Sequence, residues 1–101
     1  MELERIPWRE EARPEEQSLR RRLEAEGYAV FAWTDPPGAR YEPHAHERDE
    51  SIWVFRGRIV FEAEGRSLAL GPGDRLLLPA GTSHSALVGD EGASYLVGER
   101  S

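Results

Sequence analysis

Along residues 14–26, PEEQSLRRRLEAE, Leu19 and Leu23 stand four apart on one helical face among polar neighbours. Pro14 and the glutamates after it suit a first turn, and Gly27 supplies a stop. The pattern predicts a short amphipathic helix. Its Arg20–Arg22 run, flanked by Glu15, Glu16, Glu24 and Glu26, reads as a solvated, ion-paired face rather than an anion site. Beyond Gly27 the pattern changes to that of strands. Segments rich in Val, Ile, Leu and aromatics recur at 28–34, 39–46, 51–56, 58–64, 66–70, 74–79, 83–88 and 93–98, punctuated by Gly, Pro and Asp. Gly57 and Gly65 fall where hairpin turns are expected, 35–38 reads as a longer connection, and Pro72-Gly73 reads as a type II turn. About eight short strands in 101 residues bury their apolar faces only by closing on themselves or packing as two sheets. The expected fold is therefore all-β, a jelly roll or small barrel. One domain is expected, with an N-terminal extension and helix over 1–27 and the barrel over 28–101.

Composition narrows the chemistry. The balance of 39% hydrophobic and 32% charged residues is that of a globular chain, and no apolar run approaches the ~20 residues of a membrane helix. Residues 1–11 carry acids and no apolar core of a secretion signal, so a cytoplasmic protein without a membrane partner is expected. A net charge of -6 argues against nucleic acid, which selects basic surfaces. Without cysteine there are no disulfides, thiolate nucleophiles or sulfur ligands, and any site must use oxygen and nitrogen. Thirteen arginines with no lysine, no asparagine and one glutamine suggest a thermophilic source, although GC-rich codon usage accounts for the arginines equally well.

All three histidines fall in a pattern that suits a chelate. His44 and His46 are one residue apart, so on a strand both imidazoles leave the same face. Glu50 follows with the parity to return to that face, and His84 arrives from a distant strand. Glu47 and Asp49 compete with Glu50 for the acidic position. If Glu50 points inward, alternation places Ile52 and Val54 inward and sends Trp53 and Phe55 outward, while His84 takes Ala86 and Val88 inward with it. An apolar lining of Ile52, Val54, Ala86 and Val88 suits either a pocket for a small, partly hydrophobic molecule or a packed core. Trp53 and Phe55 need cover, from the N-terminal helix or from a second copy in a homodimer. Trp33, Arg40 and Tyr41 are read as packing and surface residues.

The stretch from Gly38 to Val88 resembles the cupin superfamily in both of its signature motifs. The first reads Gly38, five residues, His44-Ala45-His46, three residues, Glu50, six residues and Gly57, with no departure. The second reads Gly73, five residues, Pro79-Ala80-Gly81, two residues, His84, three residues and Val88, where the family pattern has Asn. The resemblance selects Glu50 over its acidic neighbours. It implies a double-stranded β-helix holding a divalent transition metal, Mn, Fe, Co, Ni, Cu or Zn, through His44, His46, Glu50 and His84. It further implies a small-molecule ligand and a homodimer. The leading functional expectation is a metal-dependent oxidoreductase of dioxygenase type. The alternatives are a non-catalytic metal-binding or sensor module, and an isomerase or decarboxylase built on the same ligands.

Overall fold

The computed structural model describes residues 1–101. Its elements are β1 (Glu4–Ile6), α1 (Glu16–Ala25), β2 (Ala29–Asp35), β3 (Arg40–His44), β4 (Asp49–Ala63), β5 (Arg66–Leu70), β6 (Arg75–Leu78) and β7 (His84–Arg100). All strand pairs are antiparallel. β4 and β7 run side by side for most of their length, and each contributes its two halves to two different layers. One layer runs β1, β6, the first half of β4, the second half of β7, and β2. The other runs β5, the second half of β4, the first half of β7, and β3. This is the double-stranded β-helix that the resemblance implies, and an all-β arrangement of the kind the short segments predict.

One of the two expected hairpins, that at Gly57, does not exist. The segments read at 51–56 and 58–64 fall in one strand, which ends at Ala63, and those read at 83–88 and 93–98 fall in another, which begins at His84. At Gly57 the pairing of β4 with β7 slips: Gly57 faces Ala93 and Ile59 faces Val88, so Gly89–Gly92 bulge opposite Arg58. Gly57 and Gly92 both have positive φ, at 76° and 77°, and a Cβ on Gly57 would collide with the Gly92 carbonyl. Glycine therefore bends two strands together here rather than reversing one. Gly65 does sit in a hairpin: Glu64 and Gly65, φ 52° and 73°, form a two-residue turn between Ala63 and Arg66 with the handedness of type I′. Gly71–Asp74 closes as the type II turn read from the sequence, with the Asp74 amide donating to the Gly71 carbonyl at 3.0 Å and Gly73 at φ 90°.

The N-terminal segment is more than an appended helix. β1, three residues long and lacking a strand signal, extends the sheet by pairing with β6. Leu19 and Leu23 of α1 are wholly buried against Tyr28, Trp53 and Leu96, with Phe55 packed alongside. Each such leucine contributes about 1.5–3 kcal/mol through burial. The Trp53 indole donates to the Gly73 carbonyl at 2.8 Å, and the Arg75 guanidinium lies 4.7 Å over its ring. Arg22 stacks between Trp8 and Trp53 and forms a two-point pair with Glu10 at 2.6 and 2.8 Å. The outward aromatics of β4 are thus covered within the chain, and this face needs no second copy.

Inside the barrel, Val54, Ile59, Leu70, Leu76, Leu78 and Val88 form a close-packed core. Val54 and Val88 point inward as alternation requires, but into this solid part of the barrel rather than onto a cavity. The motif position that Val88 occupies is therefore a packing position here. No helix is long and apolar enough to cross a membrane.

Candidate metal centre and cavity

A cavity of about 260 Å³ opens between the two layers, and His44, His46, His84 and Glu50 lie along it. His44 ends β3 and His84 begins β7, and the two residues are register partners, so their side chains meet although they lie forty positions apart. One ring nitrogen from each of His44, His46 and His84 lies within 4.8 Å of the others. The rings of His44 and His84 are 4.3 Å apart, those of His44 and His46 4.8 Å.

Two of the rings are oriented from behind. His44 Nδ1 lies 2.7 Å from the Glu42 carbonyl, and His84 Nδ1 lies 2.9 Å from the Thr82 carbonyl. A carbonyl only accepts, so each Nδ1 carries the proton and Nε2 keeps its lone pair. The loop that delivers His84 is itself tied to the first motif. The Gly81 amide donates to the His46 carbonyl at 2.8 Å, and the Ala80 amide donates to Asp49 Oδ1 at 2.8 Å. Asp49, one of the competing acids, is thus a clamp on that loop, whereas Glu47 is exposed.

Burial pushes the His46 and His84 imidazoles toward the neutral form; the neighbouring His44 reinforces this at both, while the Thr82 carbonyl opposes it at His84. Neutral imidazole is the form that ligates. Glu50 is buried, its Oε1 3.7 Å from His46 Nε2. Burial and the adjacent Glu99 carboxyl, in that order, push its pKa up to about 7. Three convergent imidazoles, two with fixed tautomers, fit a first-row divalent ion; the Glu50 carboxyl lies beside His46 and outside the three-histidine cluster.

The rest of the cavity is largely apolar. Ile52 and Ala86 line it as expected. Ile59, Phe61, Tyr95 and Val97 join them, and Glu99 stands near Glu50. Trp33 and Tyr41, read from sequence as packing and surface residues, also line it, whereas Arg40 does not. The indole of Trp33 donates to the Tyr41 hydroxyl at 3.2 Å, and Tyr41 donates to Asp35 Oδ1 at 2.6 Å. Tyr95 donates to the other Asp35 oxygen at 2.5 Å. Burial, and then the bond to Asp35, hold the Tyr95 phenol neutral by raising its pKa. These residues were missed because their side of the cavity is set by the pairing of β2 with β7, Trp33 opposite Tyr95 and Asp35 opposite Ala93. The alternation of β2 alone leaves either face eligible.

A family model described as Cupin domain matches residues 31–98. Quercetin 2,3-dioxygenase from Bacillus subtilis (strain 168) is 34% identical over 59 residues, which are 57% of this chain and 18% of that protein. The structure of KdgF from Halomonas sp. superposes with a TM-score of 0.64 at 28% identity, covering 73% of this chain and 70% of that one. DMSP lyase DddQ from Ruegeria pomeroyi DSS-3 gives 0.68 at 31% identity, covering 73% and 38%. Oxalate decarboxylase from Bacillus subtilis at pH 4.6 gives 0.64 at 30% identity, covering 71% and 20%. The chain thus spans less than a fifth of the dioxygenase and about a fifth of the decarboxylase.

Proposed function

Since the chain belongs to the cupin family, we propose that it is a metal-dependent enzyme of dioxygenase type acting on a small organic molecule, its ion held by His44, His46, His84 and Glu50. The observation that carries this reading is the convergence of the three imidazoles on the wall of a largely apolar cavity. The likeness to quercetin dioxygenase supports the reaction type. When bound, the ion supplies Lewis-acid or redox chemistry. The chain's own residues do the rest. The Glu42 and Thr82 carbonyls keep the Nε2 lone pairs of His44 and His84 available. Ile52, Phe61, Ala86 and Val97 exclude water around the bound molecule. The ion belongs to the group Mn, Fe, Co, Ni, Cu and Zn, all of which imidazole and carboxylate ligands accept.

A second reading is a lyase or decarboxylase on the same ligands. It is favoured by the likeness to DMSP lyase and oxalate decarboxylase, one of whose structures concerns Mn(II) centers. Elemental analysis of the purified protein beside the His44→Ala/His46→Ala variant tests the shared premise, with stoichiometric metal expected in the parent and none in the variant. Turnover of candidate diols and phenols with and without dioxygen then separates the two: activity that persists anaerobically overturns the dioxygenase reading. Absence of any turnover by metal-loaded protein leaves a binding module. A homodimer would have to use a face other than that of Trp53, and sedimentation at micromolar concentration tests it.

A further inference from the structure

Trp33 lines the cavity from the edge strand β2 and remains 52% exposed. Exposure alone says little, since many surface aromatics are half exposed. What sets Trp33 apart is that its ring is tethered. Its only polar hydrogen goes to Tyr41, whose own hydroxyl hydrogen goes to Asp35, and Asp35 takes the Tyr95 hydroxyl with its other oxygen. Asp35 is 7% exposed and is the anchor of the whole chain of bonds.

Counting hydrogens defines what this wall can offer. The indole has one polar hydrogen and each phenol has one, and all three are committed within the network. Trp33, Tyr41 and Tyr95, which line the cavity, therefore offer it aromatic rings and phenol oxygens with no polar hydrogen left to donate. At about 260 Å³ the space lies just below the usual range for ligand pockets, which suits a molecule of about one ring. A ligand that satisfies this wall is flat, offers a π face and brings its own hydroxyl hydrogens.

We propose that Trp33 is the specificity-determining residue of the cavity, a stacking platform positioned by Tyr41 and Asp35 that selects a planar, hydroxyl-bearing ring over a saturated one. The inference rests on the proposed function in taking the cavity as the substrate site. Stacking of this kind strengthens binding about three- to tenfold beyond simple burial.

Catechol and cis-cyclohexane-1,2-diol are suitable probes, because they share the vicinal hydroxyls and differ in planarity. Titration calorimetry with metal-loaded and metal-free protein, each checked by elemental analysis, measures both affinities in the parent and in Trp33→Leu, Trp33→Phe and Asp35→Asn. The parent is expected to prefer catechol. Trp33→Leu is expected to weaken catechol three- to tenfold and leave the saturated diol and the metal content unchanged, with Trp33→Phe restoring part of the loss. Asp35→Asn is expected to lose part of the catechol preference while retaining metal, the mark of a positioning residue. Because the parent's preference also includes chelation of metal by catechol, the Trp33 variants isolate the stacking share.

Equal losses for both probes in Trp33→Leu, or an unchanged catechol affinity, would overturn the proposal. So would a parent that binds neither probe, or a Trp33→Leu variant that merely turns a dimer into a monomer. Failure of the parent to hold metal would overturn the proposed function instead, and the metal-free titrations would still decide the role of Trp33.

Discussion

In one part of the barrel Val54, Leu70, Leu76 and Val88 are buried against one another; in another, His44, His46, Tyr41 and Trp33 border open space. The same two long strands serve both parts, since β4 carries Glu50 and Ile52 to the cavity and Val54 to the core within five residues. The difference lies in what neighbouring strands supply at each level. Leucines of β5 and β6 close the core, whereas β2 and β3 bring groups whose polar atoms are already bonded to one another or held toward a common centre. Ile52, Ile59, Phe61, Ala86 and Tyr95 are shared, packing in the core and lining the cavity, whereas Leu70, Leu76 and Val88 lie in the core alone, so substitutions at those three should leave the histidines largely intact.

The largest effect should come from removing a histidine. His84→Ala is expected to abolish stoichiometric metal binding, as measured by elemental analysis, because it removes the only imidazole supplied by the second motif. In the packed region, Leu76→Ala should destabilise the protein by about 2–5 kcal/mol in urea unfolding, the cost of a core cavity. Its folded fraction should still bind metal, and loss of metal binding by folded Leu76→Ala would break the separation.

A smaller effect concerns Glu50. Its pKa in the folded protein, about 7, lies above the ordinary carboxylate value, so the folded state holds this proton more tightly than the unfolded chain does. In metal-free protein the group therefore reduces stability progressively as pH rises from about 4.5 to 7, with the full cost above 7. Glu50→Gln should stabilise the metal-free protein by about 1 kcal/mol at pH 8, a difference that shrinks toward pH 5 in thermal melts. The smallest change belongs to the outer surface. Glu10→Gln breaks an exposed pair with Arg22 and should leave the melting temperature unchanged within measurement, while added salt should matter equally little.

Much of this was legible in the order of residues. The Leu19/Leu23 spacing identified α1, the strand segments identified the barrel, and His44, His46 and His84 stand together where the motifs put them. The hairpin read at Gly57 failed for a local reason: a glycine with positive φ serves a turn and a bulge equally well, and only the close approach of the Gly92 backbone distinguishes them. β1 was missed because three residues carry too little pattern, and its strand character comes from the edge of β6.

By itself the sequence determined the periodicities, the turn chemistry at Gly65 and Pro72-Gly73, and the ligand types, because these depend on spacing and on backbone preferences that act over a few residues. Tertiary structure decided which inward positions are core and which are cavity, turning Val54 and Val88 into packing and Trp33, Tyr41 and Tyr95 into a wall of the site anchored by Asp35. Alternation fixes the face a side chain takes, but whether that face meets leucine or open space depends on strands brought beside it from elsewhere in the chain.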